Sequence, residues 1–274
     1  MKIKFLLFLA ATLLLAGSCS TEDEPVLNKN VVRDVNFFDR MADDISVIAE
    51  QEYRNQLANS GGPSAPESLI PDCASVTTTT SESWTSVIDF GTSGCTLASG
   101  AIITGKITIS GSLDFTAPVY HVDYTFDDFH YANHRIAGNQ SIDFSVQSTA
   151  AQPDLHDVAD LNVDMEITKP DGVVFQHSAD RSRELVEGQG TSSDWSDNAY
   201  QITGSSTSTS SRGTITSAID VPLLWRLTCP FIGKGQMRFT MDSDDARLDY
   251  GDGICDYFAL LTINAESPET ILLN

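Results

Sequence analysis

Leu161-Asn162-Val163-Asp164-Met165-Glu166-Ile167-Thr168 alternates without a break, apolar at every odd position and polar at every even one. A period of two is the signature of a β-strand with one dry and one wet face. The next four residues, Lys169-Pro170-Asp171-Gly172, are tight-turn chemistry, with Pro presetting φ and Gly free to take a positive φ.

The same pattern continues in both directions. Tyr120, Val122, Tyr124 and Phe126 alternate with His121, Asp123, Thr125 and Asp127, and Ile142, Phe144 and Val146 with Asp143, Ser145 and Gln147. Trp84, Ser86, Ile88 and Phe90 share a face, as do Ile103, Ile107 and Ile109. Downstream come Ile219 through Leu227, Met237 through Met241, and Tyr257 through Ile263, each in steps of two. Parallel strands covered on both faces would read as continuous apolar runs, so the alternation predicts antiparallel sheet. The expected fold is all-β over residues 73–274, an antiparallel meander, twisted or sandwich-like. Further turns are expected near Ser110-Gly111-Ser112, Asn133-His134 and Asp242–Asp245, and the Ser205–Ser211 tract as an exposed loop or strand edge. Gly105, Gly138, Gly172, Gly204 and Gly235 recur every 31 to 34 residues, a weak double-hairpin repeat. Alternation also marks transmembrane barrels. Four cysteines, a lipid-type leader and the ending Leu272-Leu273-Asn274, which lacks a terminal aromatic, all argue against a barrel.

Upstream, the period lengthens. Phe37, Met41, Ile45 and Ile48 are spaced for one stripe of an amphipathic helix over 35–58, with Asp39, Asp43, Asp44 and Glu50 off that stripe. Residues 59–72 read as a loop and 19–34 as an acidic flexible tether. Residues 1–18 read as an export leader: Lys2 and Lys4, then the apolar run Phe5–Leu15, too short to span a bilayer, then small Ala16-Gly17-Ser18 before Cys19. This resembles a lipobox, with Ala16 where Leu is usual, and implies that Cys19 is acylated and opens the mature chain.

Cysteine arithmetic fits. Of five cysteines, removing Cys19 to lipid leaves an even set, Cys73, Cys95, Cys229 and Cys255, for two disulfides outside the cytoplasm. Ile88-Asp89-Phe90-Gly91-Thr92-Ser93-Gly94-Cys95 and Leu248-Asp249-Tyr250-Gly251-Asp252-Gly253-Ile254-Cys255 are two copies of one motif, each with a partner cysteine one hairpin upstream. With a turn near Ser81–Ser83, Cys73 falls opposite position 91, and a glycine bulge carries the register to Cys95. Four cysteines allow three connectivities; this spacing favours Cys73–Cys95 and Cys229–Cys255.

The lipobox, the helix, the Asp-Phe-Gly-x-x-x-Cys motif and the closing Asp249–Asp256 run together resemble a group of Bacteroidota-type outer-membrane and surface lipoproteins. The acidic Ser20-Thr21-Glu22-Asp23-Glu24-Pro25 after Cys19 resembles their export signal to the cell surface. The resemblance implies a location and a β architecture, and transfers no catalytic residue.

The formal charge of −22 argues against a nucleic-acid partner, since phosphate binding needs clustered cations. Asp249, Asp252 and Asp256 crowd one hairpin and offer oxygens to calcium, but without the Asp-x-Asp-x-Asp-Gly spacing. His130 and His134 lack a His-Glu-x-x-His context, and no nucleophile elbow or phosphate-cradling loop is present. Trp84 and Trp225 sit in phase with apolar neighbours and read as core. Trp195 lies in the polar run Ser192–Asn198 and is the tryptophan expected to meet a ligand. The expectation is a lipid-anchored envelope protein, non-enzymatic, without a cofactor, in a binding or structural role with a glycan or envelope-protein partner. The alternatives are glycan capture for a polysaccharide-uptake system and, third, a secreted hydrolase.

Overall fold

The computed structural model describes residues 26–191 and 194–273. The leader and Cys19 lie outside the described residues. One helix, α1 (Lys29–Asn59), is followed by β1 (Ser75–Thr80), β2 (Ser83–Asp89), β3 (Cys95–Thr96), β4 (Ile102–Ser112), β5 (Val119–Tyr131), β6 (His134–Gln147) and β7 (His156–Thr168). Then come β8 (Val174–Glu187), β9 (Ala199–Ser210), β10 (Gly213–Arg226), β11 (Ile232–Met241), β12 (Asp244–Asp252), β13 (Phe258–Ile263) and β14 (Glu269–Leu272). All pair antiparallel in one 14-stranded sheet in chain order, with β3 pairing β4 off the main path. The meander is as the alternation predicts. Among the described residues no second sheet packs on it; α1 takes that place.

The helix starts earlier than the apolar stripe suggests. Asn28 is the N-cap, its side chain accepting from the Asn30 and Val31 amides, so residues 29–34 belong to the helix rather than to a tether. Strands from nearly the whole meander touch α1. Ser86 of β2 donates to Glu52 at 2.5 Å, Tyr131 of β5 to Asp44 at 2.5 Å, and Ser217 of β10 to Asp39 at 3.2 Å, while Tyr250 of β12 donates to Asn36. A sheet whose second and twelfth strands reach one helix must curl around it. The convex face over β5, β7 and β8 carries Asp123, Asp160, Asp164 and Asp180, all exposed.

Glycines permit the curl. Gly138 (φ +106°) and Gly204 (φ +128°) sit inside strands, where an added Cβ would stand 2.3 and 2.2 Å from the carbonyl oxygens of Asp164 and Asp180 on the neighbouring strand. Backbone this close, at positive φ, accepts only glycine. The glycine recurrence is thus a line of bends that includes Gly105 and Gly235, whereas Gly172 serves the β7–β8 turn. Ser110–Ser112, expected as a turn, instead ends β4, and Ser205–Ser210 lie within β9 with Ser206 and Ser208 buried.

The acids of α1 also depart from the amphipathic reading. Asp39, Asp43 and Glu50 are buried against β8. Arg183 reaches Glu50 at 2.5 Å and Ser46 at 2.7 Å, and Arg181 reaches Asp43 at 2.8 Å. His177 and Arg181 each stand 3.5 Å from Asp39. Helix and sheet are therefore joined by a buried polar seam as well as by apolar packing.

Candidate functional site

The two disulfides form as the hairpin spacing favours, Cys73–Cys95 with Cα atoms 5.9 Å apart and Cys229–Cys255 at 5.8 Å. In the first hairpin Ser75 pairs with Asp89 and Thr80 with Trp84, so the ladder extends toward Cys73 opposite Gly91. The carboxylates of Asp249 and Asp256 are occupied locally. Asp249 accepts from the Gly251 amide and from Gln236, and Asp256 accepts from the Phe258 amide. Asp252 ends β12 opposite Lys234. Among the described residues no group of three or more His, Cys, Asp or Glu is gathered for a metal; Asp249 lies within β12, paired with Gln236 and Leu260.

The site is a cavity of about 540 Å³ at the C-terminal end of α1. Its walls come from the helix (Glu50, Tyr53, Arg54), the ends of β5, β6, β7, β8 and β9, the segment 63–66, and Gly188, Gln189, Trp195 and Asn198. The volume lies in the range of small-molecule pockets, roughly 300–1,000 Å³.

One wall is a pile of aromatic rings. Tyr53 stacks on Phe144 at 4.6 Å and on Tyr120 at 4.7 Å, and Tyr120 stacks on Phe115 at 5.1 Å. Helix spacing places Tyr53 one turn past Glu50 and Ala49, and strand alternation brings Tyr120 and Phe144 to the concave face. The opposite wall holds Trp195 and Tyr200. Trp195 is not the exposed ring its polar surroundings suggest; it is 6% exposed. Its indole N–H donates to Gln51 at 3.1 Å, and the same Gln51 oxygen accepts from the Leu69 amide at 3.1 Å. Gln51 thereby ties both cavity-bordering segments to the helix.

The charged side chains that line the cavity are paired. Arg54 pairs with Glu50 at 2.6 Å and Asp157 at 2.9 Å, and its guanidinium lies 5.4 Å from the centre of the Trp195 ring. Arg183 lies 5.1 Å from the centre of the Tyr200 ring. Burial alone would push Glu50 up, but the adjacent Arg54 and Arg183 charges outweigh it and hold the carboxyl below its ordinary range. Burial raises the Tyr53 and Tyr120 hydroxyls, which stay protonated donors. The arrangement presents ring faces, the Tyr53 hydroxyl and the amides of Asn198 and Gln189, while the Tyr120 hydroxyl donates to the Ser112 carbonyl. The two cavity carboxylates, Glu50 and Asp157, share the one guanidinium of Arg54.

Sequence reading singled out Trp195 and missed Tyr53, Tyr120, Phe144 and Tyr200. On alternating strands these read as core, and only the end of the helix shows that the core opens there. No protein-family model, curated protein or solved structure matches the chain.

Proposed function

We propose that the protein is a lipid-anchored envelope lipoprotein of the Bacteroidota type, exposed at the cell surface, that captures a small ligand without chemically changing it. The supporting observation is the aromatic cavity and its position. The described chain begins at Val26, beside α1's first turn, and the helix meets the cavity only from Glu50 to Leu57, roughly 32–42 Å along its axis from Lys29. A hook on Cys19 would hold the first end and leave the cavity open to solvent. The two disulfides fit an oxidising compartment.

The lining favours a saccharide. Flat rings accept the C–H faces of a sugar, and Asn198, Gln189 and the Tyr53 hydroxyl offer hydrogen bonds to its rim. A glycan array probed with the chain carrying Cys19→Ser tests the reading. Binding to a defined subset of glycans is expected, lost in Tyr53→Ala and weakened in Trp195→Ala. Unchanged binding in both variants would remove the cavity from the account, and turnover of the bound glycan would remove the non-catalytic assignment.

A further inference from the structure

The last two strands carry an apolar patch on the convex side. Ala259, Leu261 and Ile271 point inward and are buried, whereas Phe258, Leu260 and Leu272 point outward at 43%, 48% and 44% exposure. Phe258 pairs directly with Leu272. Tyr257, whose ring lies 4.3 Å from that of Phe258, and Ile254 extend the patch at 48% and 65% exposure. β14 is an edge strand, so nothing in the sheet covers it. The same convex surface over β5, β7 and β8 is acidic, with Asp123, Asp160, Asp164 and Asp180 exposed. Clustered exposed hydrophobics of this kind mark a docking surface.

The chain's path names the occupant. The Leu27 amide donates to Asp244 at 3.4 Å, the Asn264 side chain donates to the same carboxylate at 2.8 Å, and Lys29 pairs with Glu269 at 2.6 Å. The chain therefore enters the fold at the β13–β14 turn, on the two strands that bear the patch. Six residues lie between Cys19 and Val26, and the seven steps reach at most about 25 Å. β13 runs about 20 Å from that turn to Phe258. We infer that the β13–β14 face, through Phe258, Leu260, Leu272, Tyr257 and Ile254, docks on the lipid bilayer that holds the acyl chains of Cys19. This rests on the lipid-anchor reading. Interfacial aromatics and leucines add the second attachment that makes an acyl anchor orient as well as tether.

The test uses acylated mature protein from its native envelope in phosphatidylethanolamine–phosphatidylglycerol vesicles with brominated acyl chains. The native Trp84, Trp195 and Trp225 are 1%, 6% and 8% exposed and give a constant background. With that background subtracted, the tryptophan introduced by Leu260→Trp or Leu272→Trp should lose emission about twofold against unbrominated vesicles, as expected for rings inserted 5–10 Å, and that introduced by Asp164→Trp should lose none. On the unsubstituted protein, vesicles should slow deuterium uptake across 257–263. Flotation reads the anchor separately. Protein that does not float lacks the hook, and the docking face falls with it. Protein that floats with no quenching at 260 or 272 and no slowed uptake keeps its anchor and overturns the docking face. Equal quenching at 164, or protection of 257–263 that needs no vesicles and rises with protein concentration, overturns it too, the latter in favour of a second copy.

Discussion

Arg181 on β8 grips Asp43 on α1 with both arms of its guanidinium: Nε donates to one carboxylate oxygen at 3.1 Å and a terminal nitrogen to the other at 2.8 Å, with both side chains buried. This fork, with Arg183–Glu50 along the same strand, locks the helix in the curl of the sheet. A buried pair adds little net stability over an apolar one, but removing one partner strands the other. Arg181→Met should cost about 3–5 kcal/mol in urea unfolding, because Asp43 and Asp39 lose their cation. Adding Asp43→Asn should recover part of that loss. Additive losses in the double variant would contradict the pairing.

His177 gives the seam a pH dependence. Burial pushes its imidazole below the ordinary value of 6.5, against the opposing pull of Asp39. The folded state therefore resists a proton that the unfolded chain accepts. Stability should be complete above about pH 6.5 and fall as pH drops below it, with a limiting slope of about 1.4 kcal/mol per pH unit until the folded group titrates. Asp43, raised by burial, works in the opposite direction at lower pH. The His177 contribution is isolated as the difference between wild type and His177→Gln in urea midpoints measured from pH 7.5 to 5. Parallel curves would exclude it.

The bend line makes an unequal prediction for two glycines. Gly138→Ala places a methyl 2.3 Å from the Asp164 carbonyl at φ +106° and should destabilise by more than 3 kcal/mol. Gly172→Ala, at φ +84° with open space around it, should cost only about 1 kcal/mol. Thermal unfolding of the two variants compares them directly, and equal losses would mean that the strand glycines are not bends.

How much of this was legible follows from which side chains face inward. Leu161 to Ile167 alternate cleanly because the inward positions are apolar, so β7 and its meander neighbours could be read. β8 could not, since its inward face is Phe175, His177, Ala179, Arg181, Arg183 and Leu185, and the charges conceal the period. β9 is concealed likewise by Ser206 and Ser208, and β1, exposed throughout, has no dry face to betray it. The acids of α1 look solvated because a helix in isolation shows only its own stripe. Their partners sit more than 130 residues away. The signal that was there is a match, two arginines in step on a strand against acids in step on a helix. The cavity was legible only as Trp195, since rings on a dry face read as core until the fold shows where the core ends.

The C-terminal staple should matter through the unfolded chain. Cys229–Cys255 closes a 26-residue separation, and the double Cys→Ser variant should lose about 3–4 kcal/mol. Chemical denaturation of the oxidised and variant proteins checks this. No loss would mean that β11–β13 pairing is self-sufficient.

The whole functional reading depends on residue 19. Intact-mass spectrometry of the protein purified from its native envelope tests it most directly. The account predicts a chain beginning at Cys19, heavier than its sequence by a diacylglyceryl group and an N-acyl chain, with four cysteines in disulfides. A full-length chain retaining Met1 and an unmodified Cys19 thiol would contradict it.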